Sequence, residues 1–456
     1  MMNIKELYKL YQQHPVITTD SRNCPEGSIF LALKGETFNG NLFAVQALEK
    51  GCAYAIVDEA SEELKAKRAA LTTVRHYDEW IIVADTLQTF KDLAREHRRQ
   101  FEMPVIGITG TNGKTTTKEL VKAVLSECYN VMATEGNFNN DVGVPKTLFR
   151  LNDNHDIAVV EMGASHPGDI KTLVETAEPT CGLITNVGRA HLQGFGSFEG
   201  VCKTKGELYD YLCAHDCPIF VNRDNEHLMK MISSKLNTQN APDIYYYGQS
   251  NSPDILIRGE VVSCAPFLKF RWREQDNDAG YTSAWMEVQT QLIGAYNLDN
   301  MLAAITVGYV NNIPFEKINH ALANYAPTNN RSQLTKTEHN SLIVDAYNAN
   351  PTSMKAAIDN FRLMEVSPKM AIIGKMGELG DVSVEEHQKV VDMLREANFD
   401  EVWLVGDEFL DVDCPFRIFH DAEEVKAAIA QQQPQNRYIL IKGSNSNKLY
   451  ELPTLL

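Results

Sequence analysis

Val105-Ile106-Gly107-Ile108-Thr109-Gly110-Thr111-Asn112-Gly113-Lys114-Thr115-Thr116-Thr117 is the stretch around which the chain is organised. Val105 to Ile108 read as a strand and Gly110 to Gly113 as a turn. A helix opens at about Lys114, with Leu120, Val121, Val124 and Leu125 as its apolar stripe. Glycine lets backbone amides approach an anion closely, and a helix N-terminus adds unpaired N–H groups and the favourable end of a dipole. Lys114 is placed to reach the outer phosphates of a nucleotide, and the Thr115 hydroxyl to meet Mg²⁺. The position five before Gly113 is Ile108, where the strict G-x-x-x-x-G-K-[ST] pattern has glycine. A plain strand-to-helix turn needs neither the lysine nor the threonine. Gly110, Thr111, Asn112, Gly113, Lys114, Thr115 and Thr116 are therefore read as a phosphate-binding loop for a nucleotide.

The 456 residues exceed a single hydrophobic core and suggest two to four domains. No run approaches the roughly 18 apolar residues of a membrane span. Met1-Met2-Asn3-Ile4-Lys5-Glu6-Leu7 has no signal-peptide pattern, so a cytoplasmic protein is expected. Sixty acidic against 43 basic residues give a net charge of −17, which argues against a general nucleic-acid binder. The nine cysteines show no paired C-x-x-C spacing. Cys213-x-His215-x-Cys217 lacks the second half of a zinc site, so reduced thiols are expected.

Residues 1–80 read as a small α/β unit, with strands at 27–33 and 52–57 and a helix at 43–48. Asp20-Ser21-Arg22 and the 33–40 segment lie at its turns, where polar side chains suit either a ligand or solvent. A second unit, 81–326, starts with strand character at Trp80-Ile81-Ile82 and alternates strands with helices around the phosphate loop. That alternation predicts a mostly parallel sheet with helices on both faces. Residues 244–293 look antiparallel, and a helix returns at Asn297 to Val310. A turn-rich stretch at 326–330 precedes a third unit, 327–456, with strands at 341–345, 370–374, 402–406 and 438–442. The expected class is α/β in three domains: a central P-loop parallel or mixed sheet, flanked by a small N-terminal α/β domain and a C-terminal Rossmann-like domain.

Ligands gather at the carboxyl ends of strands in such sheets. Four loops of the second unit follow strands: the phosphate loop, Thr134 to Asn140, Glu161 to Ala164, and Asn186 to Leu192. Asparagines often cap turns, and a lone Glu or His is often a satisfied polar residue, but four such loops together point to one site.

The short form Thr109-Gly110-Thr111-Asn112-Gly113-Lys114-Thr115 resembles the Mur ligase family. So do Glu135-Gly136-Asn137-Phe138-Asn139-Asn140, Glu161-Met162-Gly163-Ala164 and Thr185-Asn186-Val187-Gly188-Arg189-Ala190-His191-Leu192. The resemblance spans nearly the whole chain. Asp345-Ala346-Tyr347-Asn348-Ala349-Asn350-Pro351-Thr352-Ser353 matches the signature of the family member that joins D-alanyl-D-alanine to UDP-N-acetylmuramoyl-tripeptide. That resemblance implies ATP-driven amide synthesis through an acyl phosphate, with Mg²⁺. It implies that Thr115 and Glu161 hold one Mg²⁺, and that His191 and a carbamylated Lys205 hold a second. By itself Lys205 reads as an exposed helix lysine. The family further implies Asn297 and Asn300 on the adenine side, and Arg331, Asp345, Tyr347 and Asn350 facing ATP from the C-terminal domain. Ser21 and Arg22, with Asn137, Asn139 and Asn140, are assigned to the UDP-substrate. Tyr296 replaces a frequent histidine, Gly374-Lys375-Met376 replaces Gly-Asp-Met, and Ser444-Asn445-Ser446-Asn447-Lys448 lacks an arginine often present there. A monomer is expected. Two other readings stand beside this one. One is a different ligase of the family, such as a sister muramoyl-peptide ligase or a folylpolyglutamate synthase. The other is a nucleotide-binding scaffold without catalysis, against which Lys114, Thr115, Glu161, His191 and Lys205 argue.

Overall fold

A computed structural model describes residues 2–35, 37–58, 79–236, 241–276, 280–327 and 333–456. Arg331 lies outside them. The chain divides into two compact units. One comprises Met1–Val105, Met132–Met162 and Thr172–Pro179; the other comprises Ile106–Val131, Gly163–Lys171 and Thr180–Leu456.

The first unit starts with the helix Ile4–Gln13, opened by a capping box in which the Asn3 side chain accepts from Glu6 N–H and the Glu6 carboxylate accepts from Asn3 N–H, both at 3.0 Å. Leu7, Tyr8 and Tyr11 of this helix enter the core. Four parallel strands follow in the order Ile17–Thr18, Ile29–Leu31, Tyr54–Val57 and Trp80–Ile82. Trp80–Ile82, expected to begin the second domain, instead completes this sheet, with Ile56 in register with Ile81. The reason is that Tyr54–Val57 is buried and needs a second parallel neighbour for its backbone groups. Apolar clusters cover both faces: Leu7, Tyr11 and Phe90 on one, Phe30, Ala44 and Trp80 on the other. The same unit holds the strand Ile157–Glu161 and, from Met132 onward, its neighbour Val131–Ala133, with the helix Gly143–Leu148 between them in sequence.

The second unit contains two sheets. In the larger, Val105–Thr109 lies beside Cys181–Ile184, then Ile219–Asn222, Ile244–Gly248, Ile255–Cys264 and Phe267–Asp276, the last also pairing with Met286–Ile293. The pairing is parallel through Ile255–Cys264 and antiparallel beyond it. The antiparallel region thus begins later than the expected residue 244, because Tyr245 and Tyr246 extend the parallel array beside Phe220 and Val221. The predicted helix Asn297–Val310 is present and buried almost all round, from Leu298 to Val307. The smaller sheet has the order Gln333–Lys336, Ser341–Asp345, Tyr438–Lys442, Lys369–Gly374, Glu401–Val405 and Arg417–Phe419, parallel except at its first pair. One face is covered by Met354, Phe361 and Val390, the other by Val425, Ile429 and Leu452. The α/β class and the four C-terminal strands are as the sequence predicts.

Candidate active site

The glycine-rich turn follows the fully buried strand Val105–Thr109. Gly110 has φ +146°, and a Cβ there would lie 2.0 Å from Thr185 Oγ1. Gly113, at φ +77°, precedes the helix Lys114–Leu125. The Asn186 side chain clamps the turn: its Oδ1 accepts from Asn112 N–H at 3.0 Å, and its Nδ2 donates to Asn112 O at 3.0 Å. Thr185 Oγ1 donates to the same carbonyl at 2.6 Å. Gly188 N–H donates to Thr111 Oγ1 at 2.9 Å. The Lys114 ammonium lies on the turn, donating to the carbonyls of Gly110 at 2.8 Å and Thr111 at 3.0 Å. Gly110→Ala is expected to push the turn off this clamp, weakening nucleotide binding at least about tenfold and stability by roughly 2 kcal/mol. Titration with a fluorescent ADP analogue and thermal unfolding check both numbers.

Asn297 and Asn300 brace the helix behind the turn. Thr117 Oγ1 donates to Asn300 Oδ1 at 3.0 Å, Asn300 Nδ2 to Asn297 Oδ1 at 2.9 Å, and Asn297 Nδ2 to Ile293 O at 2.8 Å. From the C-terminal sheet, Asn350 Nδ2 donates to Asn112 Oδ1 at 2.8 Å. Asn350 also caps the helix Pro351–Leu363. Asp345 ends its strand in an ion pair with Lys442 at 2.9 Å, and Tyr347 O accepts from Asn445 N–H at 2.9 Å. The unit therefore brings together the glycine-rich turn, Asn297, Asn300 and Asn350.

Lys205 is not the exposed helix lysine that periodicity alone suggests. It is 2% exposed on the helix Phe198–Ala214. Its Nζ lies 3.4 Å from Ala164 O and 5.6 Å from the centre of the Phe195 ring. Burial, reinforced by the nearby Lys114 ammonium, holds its pKa well below the ordinary lysine value. His191, with φ 50°, meets the side chain of Glu378, itself at φ 59°. Burial draws His191 below the usual histidine pKa, against the raising effect of Glu378. Glu378 escaped the sequence reading because nothing in its local pattern separates it from a solvated turn residue.

In the first unit Glu161 ends its strand almost fully buried, and Asn139 Nδ2 donates to its Oε1 at 2.9 Å. Asn140 Oδ1 accepts from Gly143 N–H at 2.8 Å, just ahead of the next helix, while Asn137 is exposed. Ser21 is buried and its carbonyl accepts from Lys50 at 2.8 Å. Arg22 grips Asp20 through Nε and Nη2, each at 2.9 Å, and those hydrogen bonds pull the Asp20 pKa down to about 2. Lys375 pairs with Glu408 at 2.8 Å. Among the described residues no three His, Cys, Asp or Glu side chains form a metal cluster by themselves, Cys213, His215 and Cys217 included. Nor is any helix among them long and apolar enough to cross a membrane.

A buried strand, a left-handed glycine turn and a lysine at the start of the next helix define the class: a P-loop nucleotide-binding enzyme. Three family models match the chain: "Mur ligase family, catalytic domain" over residues 15–96, "Mur ligase middle domain" over 108–308, and "Mur ligase, glutamate ligase domain" over 330–445. The UDP-N-acetylmuramoyl-tripeptide--D-alanyl-D-alanine ligase of Bacillus subtilis (strain 168) is 32% identical, the match covering 99% of this chain and 96% of the relative. Its counterpart in Escherichia coli (strain K12) is 33% identical over 96% of this chain and 92% of the relative. The crystal structure of MurF from Acinetobacter baumannii superposes with a TM-score of 0.81 at 29% identity, covering 96% of this chain and 92% of that one. The chain belongs to the Mur ligase family.

Proposed function

We propose that this chain catalyses ATP-driven amide-bond formation between UDP-N-acetylmuramoyl-tripeptide and D-alanyl-D-alanine, a step in making the peptidoglycan precursor. The observation that carries the reading is the Asp345-to-Ser353 signature, whose Asn350 amide is seated on Asn112 of the glycine-rich turn. The two curated relatives carry that activity in their names. In this reading residues 1–80 hold the UDP-substrate, with Ser21, Arg22, Asn137, Asn139 and Asn140 at its contacts; 81–326 hold ATP; and 327–456 present the dipeptide and face ATP with Asp345, Tyr347, Asn350 and Arg331. The reading includes a cytoplasmic location and a monomeric enzyme; among the described residues no helix is long and apolar enough to cross a membrane.

The residues present fit the groups that the chemistry needs. Gly110 lets Thr185 close on the turn, since a Cβ there would collide with Thr185 Oγ1 at 2.0 Å. The family resemblance assigns Thr115 and Glu161 to Mg²⁺, and a hydroxyl and a carboxylate are hard oxygen donors of the kind that ion takes. His191 and a carbamylated Lys205 would hold a second ion. Bound Mg²⁺ offsets the mutual repulsion of triphosphate and carboxylate. Lys114 and the turn amides stabilise charge on the phosphoryl group as it passes to the tripeptide carboxylate. The dipeptide amine then attacks the acyl phosphate carbon, and phosphate departs as the amide forms. Phosphate release with ATP and the UDP-tripeptide is therefore expected to rise strongly when D-alanyl-D-alanine is added. Equal release with a free single amino acid would remove this reading.

A further inference from the structure

The strand Tyr438–Lys442 ends on a charged residue that the proposed chemistry does not use. Lys442 is 1% exposed, one of the largest fully buried side chains in the molecule. Parallel register sets it beside Asp345, the last residue of the neighbouring strand. Its ammonium meets Asp345 Oδ2 at 2.9 Å and donates to the carbonyl of Asn348 at 2.6 Å. One cation thus ties both ends of the turn Asp345-Ala346-Tyr347-Asn348. Asn445 N–H holds the middle of that turn through Tyr347 O at 2.9 Å.

Two residues further on stands Asn350. Its Oδ1 accepts from Ser353 N–H at 2.9 Å, and its Nδ2 donates to Asn112 Oδ1 at 2.8 Å. An asparagine amide that serves a helix cap and a distant loop at once tolerates little displacement, since hydrogen bonds weaken steeply with angle. A buried ammonium deprived of its oxygens is costly, so the turn and the lysine fix each other's place.

We infer that Lys442 is a positioning residue for the nucleotide: by holding the 345–348 turn it sets Asn350 against Asn112 and so shapes the glycine-rich turn from the C-terminal sheet. This rests on the reading of that turn as the nucleotide site. A lysine that only stabilises the C-terminal sheet would leave nucleotide affinity untouched, or lower it independently of Asn112.

A double-mutant cycle on the full chain separates these cases, read as the affinity for N-methylanthraniloyl-ADP. Lys442→Met and Asn112→Ala are each expected to weaken binding about tenfold, and the double variant also about tenfold, because both cut the same connection. A double variant weakened by the product of the two losses overturns the proposal, as does unchanged affinity in Lys442→Met. Should Lys442→Met fail to fold by thermal unfolding, Lys442→Arg takes its place in the cycle. It keeps the charge, but its planar fork does not fit where one ammonium meets two oxygens. Failure of the unmodified chain to bind the probe would instead overturn the nucleotide reading beneath the proposal.

Discussion

Lys114→Ala is expected to lower turnover by at least about 10³, on the scale set by losing a charge-stabilising group from phosphoryl transfer. The side chain sits at the first position of its helix, with the ammonium on the carbonyls of Gly110 and Thr111. Those carbonyls give it a resting place, but the fold does not depend on them, because Thr185, Asn186 and Gly188 hold the turn separately. The loss should therefore fall on kcat, with thermal unfolding close to that of the unmodified chain. Lys114→Arg should recover little, since a planar guanidinium does not act as a compact point charge. Phosphate release measured with all three substrates decides the matter. Activity within tenfold of the unmodified chain would remove Lys114 from the reaction.

Lys205→Ala is expected to cost about 10² to 10³ in rate, with part of it restored by acetate. The reasoning starts from burial: an ammonium beside the Phe195 ring, close to a second lysine, is disfavoured in its charged form. The neutral amine is the form that attacks CO₂; nitrogen bonds to carbon, a proton leaves, and a carbamate anion results. The amine becomes a carboxylate-like group able to help hold a metal ion. Acetate entering the space left by alanine would supply similar oxygens. Lys205→Arg keeps the wrong sign and should not be rescued. Near-normal turnover by Lys205→Ala, or a loss that acetate leaves untouched in a folded protein, would sink the carbamate.

Some of this was plain in the sequence, and the reasons differ from residue to residue. The glycine-rich turn between strand and helix was legible because strand, glycines, lysine and helical period fall in one continuous run. The C-terminal strands were legible because each is a short apolar run bounded by turn residues. Trp80–Ile82 was misplaced because a strand's own residues do not name the sheet that receives it; parallel pairing with Tyr54–Val57 does. Lys205 read as exposed because the helical period puts a lysine on whichever face the neighbours leave. Its burial depends on Ala164 and Phe195, which come from other segments. Glu378 and Lys442 share that difficulty: each owes its place to partners remote in sequence. The pairing of Lys442 with Asp345 follows only from strand order, in which the strand ending at 442 lies beside the one ending at 345.

The clamp on the glycine-rich turn also has a schedule. Asn112 is held by Asn186, 74 positions later, and by Asn350, 238 positions later; Thr117 waits for Asn300, 183 positions later. At a synthesis rate of about 5 to 20 residues per second, the last of these partners is made on the order of 10 to 50 s after the turn itself. A nascent chain on the ribosome thus carries the phosphate turn long before the amide that completes its setting. Translation that stops short of the C-terminal sheet leaves a turn without Asn350, so prematurely terminated chains hold the lysine and the glycines but not the assembled site.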